Sequence, residues 1–370
     1  MTKTMRFNSS PALNAHSRPL RLWLIALIIL VFVMISIGGA TRLTGSGLSI
    51  TEWKPIAGMI PPLNAETWSA EFERYKQIPQ YKIQNAGISL EEFKPLFWWE
   101  WGHRQLGRFI GLVYALGFIG FIILGAIRGR RLAIYTGIGL LLGSQALAGW
   151  LMVHSGLQDG MVAVAPIRLA VHLTLAFLFL GSLVWMLAKE QDSKLNSSAV
   201  MRGLDPRIHV LKRKRVYPAK IVYILCALIL WQVILGALVA GNKAGLVYNT
   251  WPLMDGVLVP SASALFFEQP WWHNFLDNHL MVQFNHRIGA YILLAVAYWH
   301  SWTAWRAAPR TQFARNAIHL AGFITLQAGV GIMTLLIHVP LWAGLLHQSM
   351  AAFIFAYAVW CLPLKNTHLY

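Results

Sequence analysis

Charged residues are scarce in this 370-residue chain, at 12% of the sequence, and only 14 residues are acidic. Soluble domains carry about 25% charged residues, so an ordinary soluble protein is excluded. Cysteine is nearly absent, and both Cys226 and Cys361 lie inside apolar runs, which excludes a disulfide framework. Hydrophobic residues make up 56% of the chain, and the mean hydropathy is +0.52, as in membrane proteins.

Long apolar runs recur along the chain, and each could cross a bilayer as a helix of ~20 residues. The runs are continuous rather than alternating, which excludes a closed β-barrel. The first run has no small-residue cleavage site and is interpreted as a retained span. The predicted fold is an all-α polytopic membrane protein with eight transmembrane helices, at residues 22–39, 104–127, 132–153, 168–188, 221–240, 282–302, 317–338 and 342–362.

The basic residues are unevenly distributed. The formal net charge is +17, and 20 of the 31 Lys and Arg residues fall in segments 1–21, 128–131, 189–220, 303–316 and 363–370. By the positive-inside rule these segments are cytoplasmic. The charge therefore orients the chain and does not indicate nucleic-acid binding. We expect both termini to be cytoplasmic.

The two halves of the chain resemble each other. His286 follows His103 by 183 residues, and Gln327 follows Gln145 by 182. Such self-similarity indicates an internal repeat, and because both halves begin in the cytoplasm, two parallel pseudo-repeated four-helix bundles are predicted. The predicted organisation is an N-terminal tail, a first bundle with a long outer loop, a cytoplasmic linker, a second bundle and a C-terminal tail, at residues 1–21, 22–188 (loop 43–99), 189–220, 221–362 and 363–370.

Four histidines stand near the outer ends of the even-numbered spans: His103, His172, His286 and His347. An ionisable residue inside a span is costly, so each is a candidate functional residue. Two facing imidazoles can ligate one haem iron, and the arrangement therefore predicts one haem or metal site in each half. A packing role is the alternative for any one ring, while a copper or zinc site lacks accompanying cysteines or carboxylates.

Other residues of the spans have simpler interpretations. Several glycines would let a flat macrocycle approach the backbone, or would serve close helix packing: Gly107, Gly111, Gly143, Gly149, Gly289, Gly329 and Gly331. Interfacial solvation is expected for six further histidines: His154, His273, His279, His300, His319 and His338.

Only one histidine pair has a carboxylate nearby. Glu100 precedes His103 by one helical turn, whereas Gln283 stands at that place before His286. This asymmetry suggests that one half transforms a substrate and the other holds a permanent redox cofactor. The alternative is an ion pair with a neighbouring arginine, Arg104 or Arg108.

Seven sequence motifs, spread over about residues 22–362, are typical of one known family. They are GGATRLTGSGLSITEWKPIAGMIPP (38–62), EWGHR (100–104), GSQALAGWLMVHSGL (143–157), HLTLAF (172–177), VAGNKAGLVYNTWPLMDG (239–256), QFNHRIGAYIL (283–293) and LLHQSMAA (345–352). With them the chain resembles the haem A synthase family, whose members convert haem O to haem A for terminal oxidases. Together these motifs are specific for the family, although no single motif would identify it. The long outer loop resembles the proteobacterial and mitochondrial branch, and it lacks the loop cysteine pair of another branch. This resemblance implies a bacterial inner (cell) membrane, with the mitochondrial inner membrane as the alternative.

The resemblance implies roles for these residues. His103 and His172 would bind the substrate haem O, and His286 and His347 would hold haem b as an electron-transfer cofactor. Glu100 would be the catalytic residue for oxidation of a ring methyl group to the formyl group of haem A, through a gem-diol that loses water. The propionate partners would be three arginines, with lipid headgroup contact as the alternative: Arg42, Arg104 and Arg287.

The predicted protein is thus a haem-modifying oxidoreductase of the membrane. Expected partners are the lipid bilayer, the haem O synthase that farnesylates haem, terminal oxidase assembly factors, an electron acceptor and a second copy of the chain. Two other functions stay open. The protein could be a di-haem b-type electron carrier that leaves haem unaltered, or a haem transporter or chaperone.

Overall fold

The computed structural model describes residues 17–201 and 220–362, so most of the predicted tails and linker lie outside the described residues. Within these two ranges the chain is mostly helical, and its only β-pairing is an isolated bridge between Met254 and Val257. Eight of the described helices are long and apolar enough to cross a membrane, which confirms the predicted all-α polytopic fold. They are α1 (Ser17–Leu43), α2 (Leu90–Ile123), α3 (Arg130–Gly156), α4 (Pro166–Met201), α5 (Lys220–Gly241), α6 (His279–Ala307), α7 (Gln312–Leu336) and α8 (Leu341–Trp360).

Helix α2 begins earlier than the apolar pattern predicted. Ser89 and Glu92 form a reciprocal capping box, in which each side chain binds the backbone N–H of the other. This arrangement stabilises a helix start. The apolar run predicted from residue 104 lies in this helix, which begins 14 residues earlier because its first turns, with three charged residues and Pro95, interrupt the apolar pattern.

The first outer loop is folded against the beginning of α2. It contains the helix Ala65–Lys76, which Asn64 caps, the helix Pro79–Ile83 and a 3-10 turn at Ala57–Met59. Its apolar residues share a buried cluster with α2, and the members include Leu48, Phe72, Tyr75, Phe93 and Phe97. The second outer loop holds the short helix Ala262–Leu265 and 3-10 turns at Ala244–Leu246 and Trp271–Phe275.

The helices of each half pack as a ring of four. Helix α1 contacts α2 and α4, and α3 closes the ring between them; α5, α6, α7 and α8 pack in the same way. Helices α1, α4, α5 and α8 also join the halves through one apolar core. Polar contacts reinforce this join, since the hydroxyls of Ser36 and Ser349 lie 2.8 Å apart and the Gln348 amide donates to the carbonyl of Ile35 at 2.6 Å.

Large apolar side chains remain exposed on the outward helix faces. On α2 these are Leu112, Leu116, Ile119 and Ile123. An apolar surface of this extent suits hydrocarbon rather than water. The chain is therefore a multi-pass membrane protein whose outer surface contacts lipid.

Candidate functional site

The four predicted histidines come from four different helices and meet in two pairs. His103 on α2 and His172 on α4 are neighbours in the first half. His286 on α6 and His347 on α8 are neighbours in the second half. All four imidazoles are half-buried. Each pair therefore lies within one four-helix ring.

The second pair has the geometry of two ligands that share one centre. The ring centres of His286 and His347 lie 6.5 Å apart, with their planes at 76°. A metal ion bound at ~2.0 Å by one nitrogen of each ring fits between rings at this separation. The pair is therefore a suitable bis-imidazole ligand set for a haem iron.

Each imidazole packs against a glycine of the preceding transmembrane helix. A Cβ atom at Gly236 would lie 3.1 Å from Cε1 of His286, and one at Gly331 would lie 2.7 Å from Cε1 of His347. The first half repeats this contact with Gly38 against His103 at 3.2 Å and Gly149 against His172 at 3.0 Å. A Cβ at Gly331 would force the ring to move, whereas at the other three glycines the ring would have to give way by a few tenths of an ångström. Of the other glycines singled out above, three have open space where a Cβ would lie, namely Gly111, Gly143 and Gly329.

Glutamine side chains contact both imidazoles of the second pair. The Gln327 amide nitrogen lies 3.2 Å from Nδ1 of His347 and donates to the carbonyl of that same residue at 2.9 Å. Gln232 on α5 does the same for His286, at 3.0 Å and 2.8 Å. Gln232 was missed from the sequence, although a lone amide in an apolar span was the available signal.

The Glu100 side chain is 2% exposed and has several donors. Arg104 donates to its Oε1 at 2.6 Å. The Ser49 hydroxyl and the backbone N–H of Ile50 each donate to Oε2 at 2.8 Å. The carboxylate thus ties the outer loop to α2, one turn before His103. The ion pair with Arg104, left open as an alternative, is present, and the contribution of Ser49 was not foreseen.

Gln283 occupies the corresponding place in the second half and has a related set of contacts. It is 3% exposed, accepts from Arg287 at 2.7 Å and donates to the carbonyl of Ala244 at 2.9 Å. An amide therefore anchors the second outer loop much as Glu100 anchors the first. The two sites differ in charge, because Glu100 is a carboxylate and Gln283 is a neutral amide.

The three arginines predicted as propionate partners all have protein acceptors. Arg104 donates to the carbonyls of Ile50 and Glu52, at 2.7 and 3.1 Å. The equivalent acceptors of Arg287 are the carbonyls of Tyr248 and Thr250, at 3.2 and 2.8 Å.

Arg42 instead joins the two halves. It donates to the carbonyls of Ala240 and Gly241, at 2.5 and 3.1 Å, where α5 ends. A cation at a helix C-terminus is electrostatically favourable. The propionate role of the three arginines stays a prediction.

A small crevice opens beside Arg104 and is lined by Glu52, Trp150 and His154, among others. Lys54 binds the Glu52 carboxylate at 2.5 Å, and this bond, with the charge of Arg74, holds the pKa of Glu52 below its usual range. Arg104 lies between this crevice and the buried Glu100, because it donates both to the carbonyl of Glu52 and to the Glu100 carboxylate.

The six further histidines singled out from the sequence do not behave alike. Five are exposed or half-buried, as expected for interfacial residues. His300 on α6 was predicted wrongly, since it is 2% exposed and its ring packs on Phe313 with centres 5.6 Å apart. A buried face of α6 near its inner end cannot be recognised from local hydropathy.

Comparisons with known proteins agree with this architecture. Residues 21–359 match the family model COX15-CtaA, described as cytochrome oxidase assembly protein. A protein named heme A synthase from Methylorubrum extorquens is 50% identical over 357 residues, which are 95% of this chain and 89% of the relative.

Two further relatives carry the same name. The protein from Methylobacterium sp. (strain 4-46) is 50% identical over 350 residues, covering 94% of this chain and 92% of its own length. The protein from Bradyrhizobium sp. (strain ORS 278) is 48% identical over 345 residues, covering 92% and 89%. The chain therefore belongs to the COX15-CtaA family of cytochrome oxidase assembly proteins.

Proposed function

We propose that this protein is a haem A synthase, an oxidoreductase that converts a methyl group of haem O to the formyl group of haem A. The observation that carries the proposal is the identity of about 50% to proteins named heme A synthase over 95% of the chain. The paired histidines inside a helical membrane protein support it, because haem O is an apolar, iron-containing substrate.

The two pairs are assigned different haems. His103 and His172 would ligate the substrate, while His286 and His347 would hold haem b. The geometry of the second pair supports a resident haem there, since its ring separation of 6.5 Å suits a shared iron. The matching arginine contacts support the further proposal that residues 22–188 and 221–362 are two parallel repeats.

The proposed reaction oxidises one carbon twice. Each oxidation breaks a C–H bond, adds the oxygen of one water and releases two electrons and two protons, with the electrons passing to an external acceptor. The resulting gem-diol loses water to give the formyl group. When bound, haem b supplies a one-electron redox centre.

Glu100 is proposed to act on this reaction as a fixed negative charge. Its oxygens accept from Arg104, Ser49 and the Ile50 N–H, an arrangement that suits an ionised carboxylate held in one orientation. A negative charge one turn from His103 would favour positive charge on a carbon that loses electrons. The same contacts occupy both carboxylate oxygens, so charge stabilisation is the favoured role.

We further propose a bacterial inner membrane location with both chain termini in the cytoplasm. Haem O would come from a membrane farnesyltransferase, and haem A would pass to terminal oxidase assembly. The family description as cytochrome oxidase assembly protein supports this place in the sequence of reactions.

One observation favours the di-haem electron carrier as a second candidate. The contacts of Gln283 and Arg287 reproduce much of the arrangement of Glu100 and Arg104, so the two sites are more alike than their sequences suggest. A carrier with two equivalent haems needs no difference between them.

Haem extraction and mass analysis separate the two candidates. The purified enzyme should yield haem b together with haem O, haem A or their hydroxylated intermediates, when produced in cells that make haem O. Haem b alone, at two per chain, would refute the synthase and support the carrier.

A further inference from the structure

The glutamines beside the histidine pairs are not distributed equally between the halves. We propose that Gln232 is a positioning residue of the second pair, where it orients His286 as Gln327 orients His347. We also propose that Met34, at the corresponding place in the first half, leaves His103 without such a partner. The inference rests on the proposed function, because it takes the second pair to hold a resident haem b.

Gln232 and Gln327 each contact both the ring and the backbone of their histidine. Their amide nitrogens lie 3.0 and 3.2 Å from the Nδ1 atoms and 2.8 and 2.9 Å from the carbonyl oxygens. The carbonyl bond restrains the amide, and the amide in turn restrains the ring. Both imidazoles of the second pair are therefore held at two points of one neighbouring helix, by an amide and by the glycine backbone one turn after it.

The amide oxygens of Gln232 and Gln327 are buried and have no hydrogen-bond partner among the described residues. An amide can present either its N–H or its oxygen to a ring nitrogen, so it can pair with the imidazole in either tautomer. When iron occupies Nε2, Nδ1 carries a proton. A half-turn of the amide would then bring this oxygen to Nδ1–H, in place of the amide nitrogen and of its bond to the histidine carbonyl. The amide can therefore serve a ligating histidine as an acceptor.

Met34 is identified as the counterpart of Gln232 by its place in the fold. The glycine of α5 that packs on His286 follows Gln232 by four residues, one helical turn. The glycine of α1 that packs on His103 follows Met34 by four residues. The methyl group of Met34 also lies against α2, where a Cβ at Gly107 would be 3.3 Å away.

The first half therefore holds its rings less firmly. Within residues 17–201 and 220–362, no hydrogen bond reaches the His103 imidazole, and a thioether is only a weak acceptor. Gln145 reaches His172 at Nε2, at 3.3 Å, and has no bond to the carbonyl of that histidine. Nδ1 of His172 is buried without a partner in the described part of the chain.

This difference has a chemical consequence. A hydrogen bond to the outer nitrogen of a ligating imidazole fixes the ring and raises its basicity, and its loss typically weakens metal binding 10–100-fold. The amides of Gln232 and Gln327 suit a haem that stays in the protein. His103 has no such amide, which suits a haem that must enter as substrate and leave as product.

The test compares Gln232→Met and Gln232→Glu with the full-length wild-type protein in detergent. The midpoint potential of haem b is measured by spectroelectrochemical titration, and its retention is measured as the rate of haem transfer to excess apomyoglobin. Gln232→Met should raise the potential and speed haem loss about 10–100-fold, since a less basic imidazole stabilises ferric iron less. Gln232→Glu should lower the potential, because a carboxylate is a stronger acceptor for Nδ1–H.

Two further variants complete the test. Met34→Gln should make the first half retain more haem O or haem A through purification. Gln158→Met is the matched control, because Gln158 lies exposed just after α3 and its side-chain amide bonds to His154, away from the second pair. The haem b potential of this variant should equal that of the wild type.

The possible failures are distinguishable. Equal potentials in the wild type and both Gln232 variants, or shifts of the same sign in both, would overturn the positioning role while haem b stays in place. A wild-type protein that contains no haem b would overturn this inference together with the proposed function.

Discussion

His347 packs so closely on Gly331 that a Cβ atom at the glycine would lie 2.7 Å from Cε1 of the ring. Gly329 lies on the same helix and has open space in the corresponding direction. The position of the His347 ring thus depends on the absence of a side chain at Gly331, whereas Gly329, two residues earlier, has room for one. This pair of glycines provides a matched test of the haem b site.

Gly331→Ala should displace His347 and remove most of the low-spin haem b spectrum, because contacts below 3.0 Å force the ring to move. Gly329→Ala should leave the spectrum unchanged. The measurement is the reduced-minus-oxidised absorbance of purified protein, normalised to protein mass. Equal spectra in the two variants would show that the imidazole at residue 347 does not ligate iron.

Removal of either imidazole of the second pair should have a larger effect. His286→Ala and His347→Ala should each abolish the six-coordinate low-spin spectrum, because a bis-imidazole iron needs both rings. Insertion into the membrane should be retained, which membrane fractionation checks. His154→Ala, at an exposed site, is the control. An unchanged spectrum in both variants would refute the ligand assignment.

Glu100→Gln tests the role of the buried charge. We expect haem A formation to fall at least ~100-fold, the scale of losing one electrostatic stabiliser, while haem b stays bound. Haem O or its hydroxylated form should accumulate, and chromatography of extracted haems measures this. The matched control is Gln283→Glu, which changes the charge of the equivalent anchor in the other half.

Gln283→Glu should leave haem A formation within a few-fold of the wild type, although it adds a negative charge near the proposed haem b site. If Glu100→Gln produces haem A at the wild-type level, the carboxylate acts only as an anchor for the outer loop and Arg104.

A buried ion pair joins α3 to α4 and should matter for stability. Arg131 lies 3.1 Å from Glu190, with side chains 14% and 3% exposed. Glu190→Ala should cost about 3–5 kcal/mol, because it leaves a buried cation without its partner. Thermal unfolding in detergent measures the loss. Glu91→Ala, which breaks an ion pair whose carboxylate is 76% exposed, should cost below ~1 kcal/mol.

The topology can be tested with introduced cysteines at two exposed positions. Ser69 lies in the first outer loop, and Gln312 begins α7 at the opposite end of the helices. In intact spheroplasts, Ser69→Cys should react with a membrane-impermeant thiol reagent and Gln312→Cys should not. The parent chain, with Cys226 inside α5 and Cys361 directly after α8, gives the background. The reverse labelling pattern would place both termini outside the cell.

The membrane helices were predicted well because their signal is local. A run of ~20 apolar residues must form hydrogen-bonded helix in a bilayer, whatever it packs against. Seven of the eight helices begin within about five residues of the predicted position. Helix α2 is the exception, since its first turns contain three charged residues and a proline. Their helical state depends on the cap at Ser89 and on packing against the outer loop.

The candidate site was predicted in part. Histidine is rare in apolar spans, so its pattern identified the two pairs before their rings were seen together. The contacts of Glu100 were not foreseen, because Ser49 and Ile50 stand about fifty residues earlier and reach it only through the folded loop. Repeat spacing matched Gln145 with Gln327 but did not reveal that Met34 takes the place of Gln232.

Composition and residue order were therefore enough to establish a helical membrane protein, its number of spans and the histidines worth testing, since each follows from the short-range preference of a segment for lipid or water. The folded arrangement of the helices decided which backbone each imidazole packs on, which amide holds it, and whether Glu100 faces solvent or donors. Those features depend on atoms brought together from distant parts of the chain, and hydrogen bonds and packing act only at contact distance.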